Sequence, residues 1–165
     1  MPFVAPFVRL ALALLLVAGC ASPSVSTIEA APRPTECPAA VAAIARCLAG
    51  QDSAGAWYLI AMPNAWNGDL VLHAHGGPTL GPPDPKRTFD DLQRWAIVPR
   101  AGFAWAGTTF RQGGVAVMAA AEDTKRLRRI FIAHVAVPRR AVLHGQSWGA
   151  SVAARAAEAD PVEPD

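Results

Sequence analysis

Gly145-Gln146-Ser147-Trp148-Gly149 is the stretch that decides how this chain is read. A short apolar run, Ala141 to Leu143, precedes it and suggests a strand. An alanine-rich run from Trp148 to Ala159, stopped by Pro161, suggests a helix after it. A serine in a sharp strand-to-helix turn sits in a strained backbone with its hydroxyl exposed. Its neighbours two positions away must then be small, and Gly145 and Gly149 meet that need. A plain glycine-rich turn is the competing reading of the pentapeptide taken alone.

Moving outward, His75-Gly76-Gly77-Pro78 ends an earlier strand candidate, Leu70 to Ala74. Two glycines let backbone N–H groups approach a ligand closely, and an anion developing on a carbonyl oxygen needs such fixed donors. Taken alone, this motif reads as a structural turn. Further strand candidates are Ala56 to Met62, followed by the turn-forming Asn67-Gly68, and Phe103 to Gly107. Thr79 to Arg87 is proline-rich and reads as loop. Thr88 can cap the next helix, with Asp90 and Asp91 in its first turn and Phe89, Leu92, Trp95 and Ala96 as its apolar face. Gly113-Gly114 opens a longer helix, Val115 to His134, with Leu127, Ile130, Phe131 and His134 at helical spacing. Alternating strands and helices predict the α/β class, with a mainly parallel sheet covered by helices on both faces and a site beyond the carboxyl ends of its strands.

Together and in this order, the two glycine motifs resemble the α/β-hydrolase superfamily of serine esterases, lipases and prolyl-oligopeptidase-like peptidases. In that family a His-Gly-Gly turn follows the third strand and the nucleophile elbow follows the fifth. The resemblance covers roughly residues 56–158. It implies Ser147 as nucleophile, with an oxyanion hole built from the N–H of Trp148 and one from Gly76 or Gly77. An ester or amide is the implied substrate, with no cofactor. Thr109-Phe110-Arg111-Gln112-Gly113-Gly114 is similar to a less specific stretch of some members.

The family's chain order is Ser, then an acid, then His. Here 18 residues follow Ser147 and none is histidine. Glu158, Asp160, Glu163 and Asp165 lie on the following helix or just past it. A serine hydroxyl is a weak nucleophile until a base takes its proton. The expectation is therefore a partial α/β-hydrolase fold over 37–165, truncated after the elbow helix and inactive as an isolated chain. The missing neighbour of the elbow strand would leave an open edge, which a partner could cover. The alternative is a non-catalytic lipoprotein that keeps half of the fold as a binding or assembly module. His73, His75 and His144 flank the two motifs but read poorly as substitute bases, and His134 reads as packing or surface. His73 with His75 lacks a third ligand, so no metal site is expected.

The first 19 residues read as an export signal. Arg9 supplies the charge and Leu10 to Ala18 an apolar run too short to span a bilayer comfortably. Val17-Ala18-Gly19-Cys20 resembles the lipobox of bacterial lipoproteins. The resemblance implies lipid on Cys20 and, with Ala21 next, an outer-membrane anchor facing the periplasm. Residues 20–36, rich in Ser, Pro and Ala, read as a flexible tether. Export also bears on Cys37 and Cys47. Pro38 to Leu48 looks helical, and ten helical residues span about 15 Å where a disulfide tolerates at most about 7 Å between Cα atoms. Either the cysteines pair and the segment is not one straight helix, or they stay apart; the oxidising compartment favours pairing.

The net charge of +2 is too small to argue for nucleic acid, and 52% hydrophobic against 17% charged residues excludes a disordered chain. Lys125, Arg126, Arg128 and Arg129, with Glu122 four positions before Arg126, read as a solvated, salt-bridged helix face. The 5 tryptophans read as packing, apart from Trp148 in the elbow.

Overall fold

The structure is a computed structural model that describes residues 29–158. The candidate signal segment 1–19, the lipidation candidate Cys20 and the acids Asp160, Glu163 and Asp165 lie outside the described residues. In chain order the elements are β1 (Arg33–Thr35), β2 (Ala45–Gln51), β3 (Trp57–Pro63), β4 (Asp69–Ala74), α1 (Lys86–Arg94), α2 (Ile97–Arg100), β5 (Ala104–Thr108), α3 (Val117–His134), β6 (Arg140–Gly145) and α4 (Gly149–Glu158). The strands form one sheet in the order β1-β2-β3-β5-β4-β6.

This sheet corrects the expectation of a mainly parallel, α/β-hydrolase-like one. It is mixed and mostly antiparallel. The pairs β1–β2, β2–β3 and β3–β5 are antiparallel, and only β5–β4 and β4–β6 are parallel. The physical reason lies in the connections. A tight turn can only reverse the chain, whereas parallel neighbours need a crossover of a dozen or more residues. The turn between β2 and β3 is short and tightly bonded: the Asp52 carboxylate accepts from the N–H groups of Ala54 and Ala56, each at 2.9 Å. Gly55 supplies φ +92° there. Helices α1 and α2 carry the crossover from β4 to β5, and α3 that from β5 to β6.

Two strands of the antiparallel side were not anticipated. Pro38 and the alanines after it suggested a helix, but residues 39–44 are turn and β2 begins at Ala45. Cys37 and Cys47 are joined by a disulfide, with Cα atoms 5.2 Å apart, which a straight helix could not allow. Part of the expected tether is also built into the fold. β1 pairs with β2, and the Glu29 carboxylate accepts from the Ser53 N–H at 2.8 Å and the Ser53 hydroxyl at 2.6 Å. His134 donates from Nε2 to the Glu29 carbonyl at 2.9 Å.

Side chains alternate across the sheet with period two. On β3, Leu59 and Ala61 face Leu92, Ala96 and Trp105 on the α1 side. Tyr58, Ile60 and Met62 face Leu127, Ile130 and Phe131 of α3. Strands β4 and β5 are buried along their whole length, as befits strands covered on both faces. α4 packs through Val152 and Ala156 against Ala120 and Ala121 of α3 and Ala74 of β4. Leu, Ile and Phe side chains buried this fully stabilise by about 1.5–3 kcal/mol each.

Two helix starts differ from the sequence expectation. α1 begins at Lys86, and Thr88 is not its cap: its hydroxyl donates to the Pro85 carbonyl at 2.8 Å inside the first turn. α3 begins at Val117. Arg126 is not part of a solvated face. It bridges Glu29 at 3.3 Å, Asp52 at 3.2 Å and the fully buried Asp123 at 2.7 Å. Glu122 pairs with Arg111 instead. No helix among the described residues is long and apolar enough to cross a membrane.

Candidate nucleophile elbow

Three residues separate the end of β6 from the start of α4, and Ser147 is the middle one. Its φ is +52°, in the left-handed region where a residue with a side chain is strained by about 1–3 kcal/mol. The turn is held by its own backbone. Gly149 N–H donates to the Gln146 carbonyl at 2.8 Å, and Ala150 N–H to the Ser147 carbonyl at 2.9 Å. Gln146 N–H donates to the Ala74 carbonyl at 3.0 Å, which ties the turn to the end of β4. Ser147 is exposed.

Both flanking glycines are required by space. A methyl group on Gly145 would overlap the backbone of Gly149 and Ala150. One on Gly149 would overlap the carbonyl oxygens of Ala74 and His75. The second overlap is the more informative, because it seats the elbow directly on the His75-Gly76-Gly77 turn. That turn follows β4, whose parallel neighbour is β6. Gly76 lies against Gln146: a Cβ there would sit 3.3 Å from the Gln146 carbonyl oxygen. Among the described residues, the N–H groups of Gly76, Gly77 and Trp148 have no hydrogen-bond acceptor. The Trp148 N–H also stands at the positive end of α4. The structure thus brings Ser147, Gly145, Gly149, Trp148, Gly76 and Gly77 into one place.

The histidines are engaged elsewhere. His75 is buried, with Nδ1 2.7 Å from the Gly76 carbonyl and Nε2 3.3 Å from the Thr109 carbonyl, and its ring lies tilted against Phe110 with centroids 4.4 Å apart. His73 and His144 face each other in register on β4 and β6, with their Nδ1 atoms 2.9 Å apart. Burial, and then the neighbouring His144, push His73 down to about 3. His144 is also lowered, by burial. His73 Nε2 has no hydrogen-bond partner and stands 3.9 Å from Asp91. No histidine among the described residues hydrogen-bonds the Ser147 hydroxyl. Glu158 pairs with Arg155 at 3.4 Å, near the end of α4 remote from the elbow.

The Thr109–Gly114 stretch contributes through Phe110. This residue has φ +61° and is buried, with its ring edge-on to Trp148 at 5.9 Å. Ser147 and Phe110 are the two non-glycine residues with positive φ among those described, and the Phe110 ring touches the residue next to Ser147. Arg111 turns the other way, to Glu122 and Asp123.

Sequence reasoning missed one side of the site. Arg87, Asp91 and Trp95 occupy positions i, i+4 and i+8, so α1 presents all three to the two turns. Arg87 Nη2 donates to the Gly76 carbonyl at 2.9 Å, and its Nε to Asp91 at 3.1 Å. Trp95 Nε1 reaches the Gln146 side-chain oxygen at 3.4 Å, and its ring meets His144 edge-on at 4.4 Å. The four-residue spacing of Arg, Asp and Trp was the available signal.

Two other features are separate from this site. A cavity of about 490 Å³ lies between β1–β3 and α1, lined by Arg33, Gln51, Trp57, Tyr58 and Phe89, and none of the elbow residues borders it. No group of three or more His, Cys, Asp or Glu among the described residues could hold a metal ion. No family model, curated protein or solved structure matches the chain.

Proposed function

We propose that Ser147 is the acyl-accepting nucleophile of a serine hydrolase that acts on an ester or amide. The observation that carries this reading is the strained, exposed Ser147 seated by Gly149 against a turn with unengaged N–H groups. The Ser147 oxygen adds to the substrate carbonyl carbon and forms a new C–O bond. The carbonyl oxygen becomes an oxyanion, held by the N–H of Trp148 and one from the Gly76-Gly77 turn. Collapse expels the alcohol or amine, and water then releases the acid from the acyl-serine. The serine proton goes to a base from outside the described residues, or to hydroxide where none is supplied. The chain is further proposed to be held at a bacterial outer membrane through lipid on Cys20.

Oxyanion donors and positioning alone leave roughly 10³–10⁴-fold catalysis over water when a triad is incomplete. The chain is therefore expected to hydrolyse an activated ester such as p-nitrophenyl acetate weakly, at a rate that rises with pH. Ser147→Ala should remove that rate. Equal rates in the two proteins would exclude Ser147 as the nucleophile.

A second reading is favoured by one observation. Among the described residues β6 pairs only with β4, and Arg140, Ala141 and Val142 are exposed. An edge like this suits a non-catalytic binding module whose partner adds a strand. That reading expects partner binding to be indifferent to Ser147→Ala.

A further inference from the structure

A donor on a Gly-Gly peptide is poorly preorganised by itself. Glycine populates both signs of φ, so the Gly76–Gly77 peptide could rotate unless something grips it. The grip is visible on its carbonyl side. The Gly76 oxygen accepts two hydrogen bonds, from Arg87 Nη2 at 2.9 Å and from His75 Nδ1 at 2.7 Å. Arg87 is itself aimed by Asp91, one helical turn further along α1 and only 6% exposed. A planar trans peptide points its N–H opposite to its C=O. Fixing the Gly76 oxygen toward α1 therefore fixes the Gly77 N–H away from it. That N–H has no acceptor among the described residues. Gly76 packs on Gln146, the residue before Ser147, so the pinned peptide lies directly against the elbow.

We propose that Arg87, aimed by Asp91, is a positioning residue that locks the Gly76–Gly77 peptide so that the Gly77 N–H serves an oxyanion formed at Ser147. This rests on Ser147 being the nucleophile. It selects Gly77 over Gly76 as the second donor. It also assigns α1 a part in the chemistry, through a residue that acts on the Gly76–Gly77 peptide. Lysine cannot replace the arginine, because one ammonium cannot present the planar fork that meets Asp91 and the Gly76 carbonyl together.

The test is phosphonylation of the full chain by a p-nitrophenyl alkylphosphonate. The Ser147 oxygen forms a bond to phosphorus, p-nitrophenolate leaves, and the serine proton passes to hydroxide. The adduct's P=O oxygen then occupies the oxyanion position. In ¹⁵N-labelled protein the amide protons of Gly77 and Trp148 are both expected to move downfield on modification. In Arg87→Met and Arg87→Lys the Trp148 shift should persist and the Gly77 shift should vanish. Modification should also slow by about tenfold, a fraction of what losing an oxyanion donor costs. A role for Arg87 in stability alone would not separate the two amides. If Arg87→Met does not fold, Asp91→Asn keeps the guanidinium but loosens its aim, and the same selective weakening of the Gly77 shift is expected. Equal shifts of both amides in the variants overturn the proposal and leave Ser147 standing. Failure of the wild-type chain to be modified at Ser147 overturns both.

Discussion

On the β1–β3 side every neighbouring strand is antiparallel, and the turns are tied down. The disulfide Cys37–Cys47 closes one connection, and Arg126 gathers Glu29, Asp52 and Asp123 around the next. On the β4–β6 side the neighbours are parallel and joined by helical crossovers, and among the described residues β6 has one strand partner. That side carries the strained Ser147, the Gly76-Gly77 turn and the polar stack of His73, His144, Asp91 and Trp95. The contrast teaches where this fold keeps its cross-links and where it keeps its strain. The cross-linked half is tied by a disulfide and an ion-pair cluster, while the other half holds strained and buried polar groups secured by packing and hydrogen bonds.

Acid should expose this difference most strongly. An imidazole whose folded pKa lies below its unfolded value of 6.5 stabilises the fold fully above pH 6.5, and that contribution is lost as pH falls toward about 3. The slope is about 1.4 kcal/mol per pH unit, which makes this the largest effect expected here, on the order of a few kcal/mol. Asp91, which burial pushes up, works in the opposite sense at the acid end of that range. Denaturant midpoints measured against pH should therefore decline below 6.5, and His73→Leu should flatten the decline. An unchanged slope in that variant would mean His73 is not the cause.

Gly149→Ala should come next. It forces backbone to move against the Ala74 and His75 carbonyls, at a cost of about 3 kcal/mol. The loss should fall on the β4–β6 side, with hydrogen exchange rising in β6 and α4 before β2 and β3. Uniform exchange across the sheet would break the comparison. Reducing the Cys37–Cys47 disulfide should cost about 2.5 kcal/mol by loop entropy and leave esterolysis at Ser147 unchanged per folded molecule. A parallel loss of esterolysis would show that the two sides are coupled.

What the sequence revealed follows from the range of each requirement. The Ser147 elbow and the His75-Gly76-Gly77 turn were readable because space and φ demand small residues at fixed local spacing. The β3, β4 and β5 strands were readable from continuous apolar runs. β1 and β2 were not: Pro38 and the alanines after it carry a helical propensity that the disulfide and pairing with β3 override. Without them the sheet looked mainly parallel. Arg87 reads as loop because the prolines before it mask the start of α1 at Lys86, and its partner, the Gly76 carbonyl, is set by tertiary packing. Arg126 reads as part of a solvated face because its partners Glu29 and Asp52 are distant in sequence.

The most direct test of the central claim is peptide mapping of the intact chain after exposure to an activated phosphonate at alkaline pH. One adduct on Ser147, with none on the neighbouring Ser151, is the expected result. Labelling spread over both serines, or absent from Ser147, would contradict the assignment of this turn as a nucleophile elbow.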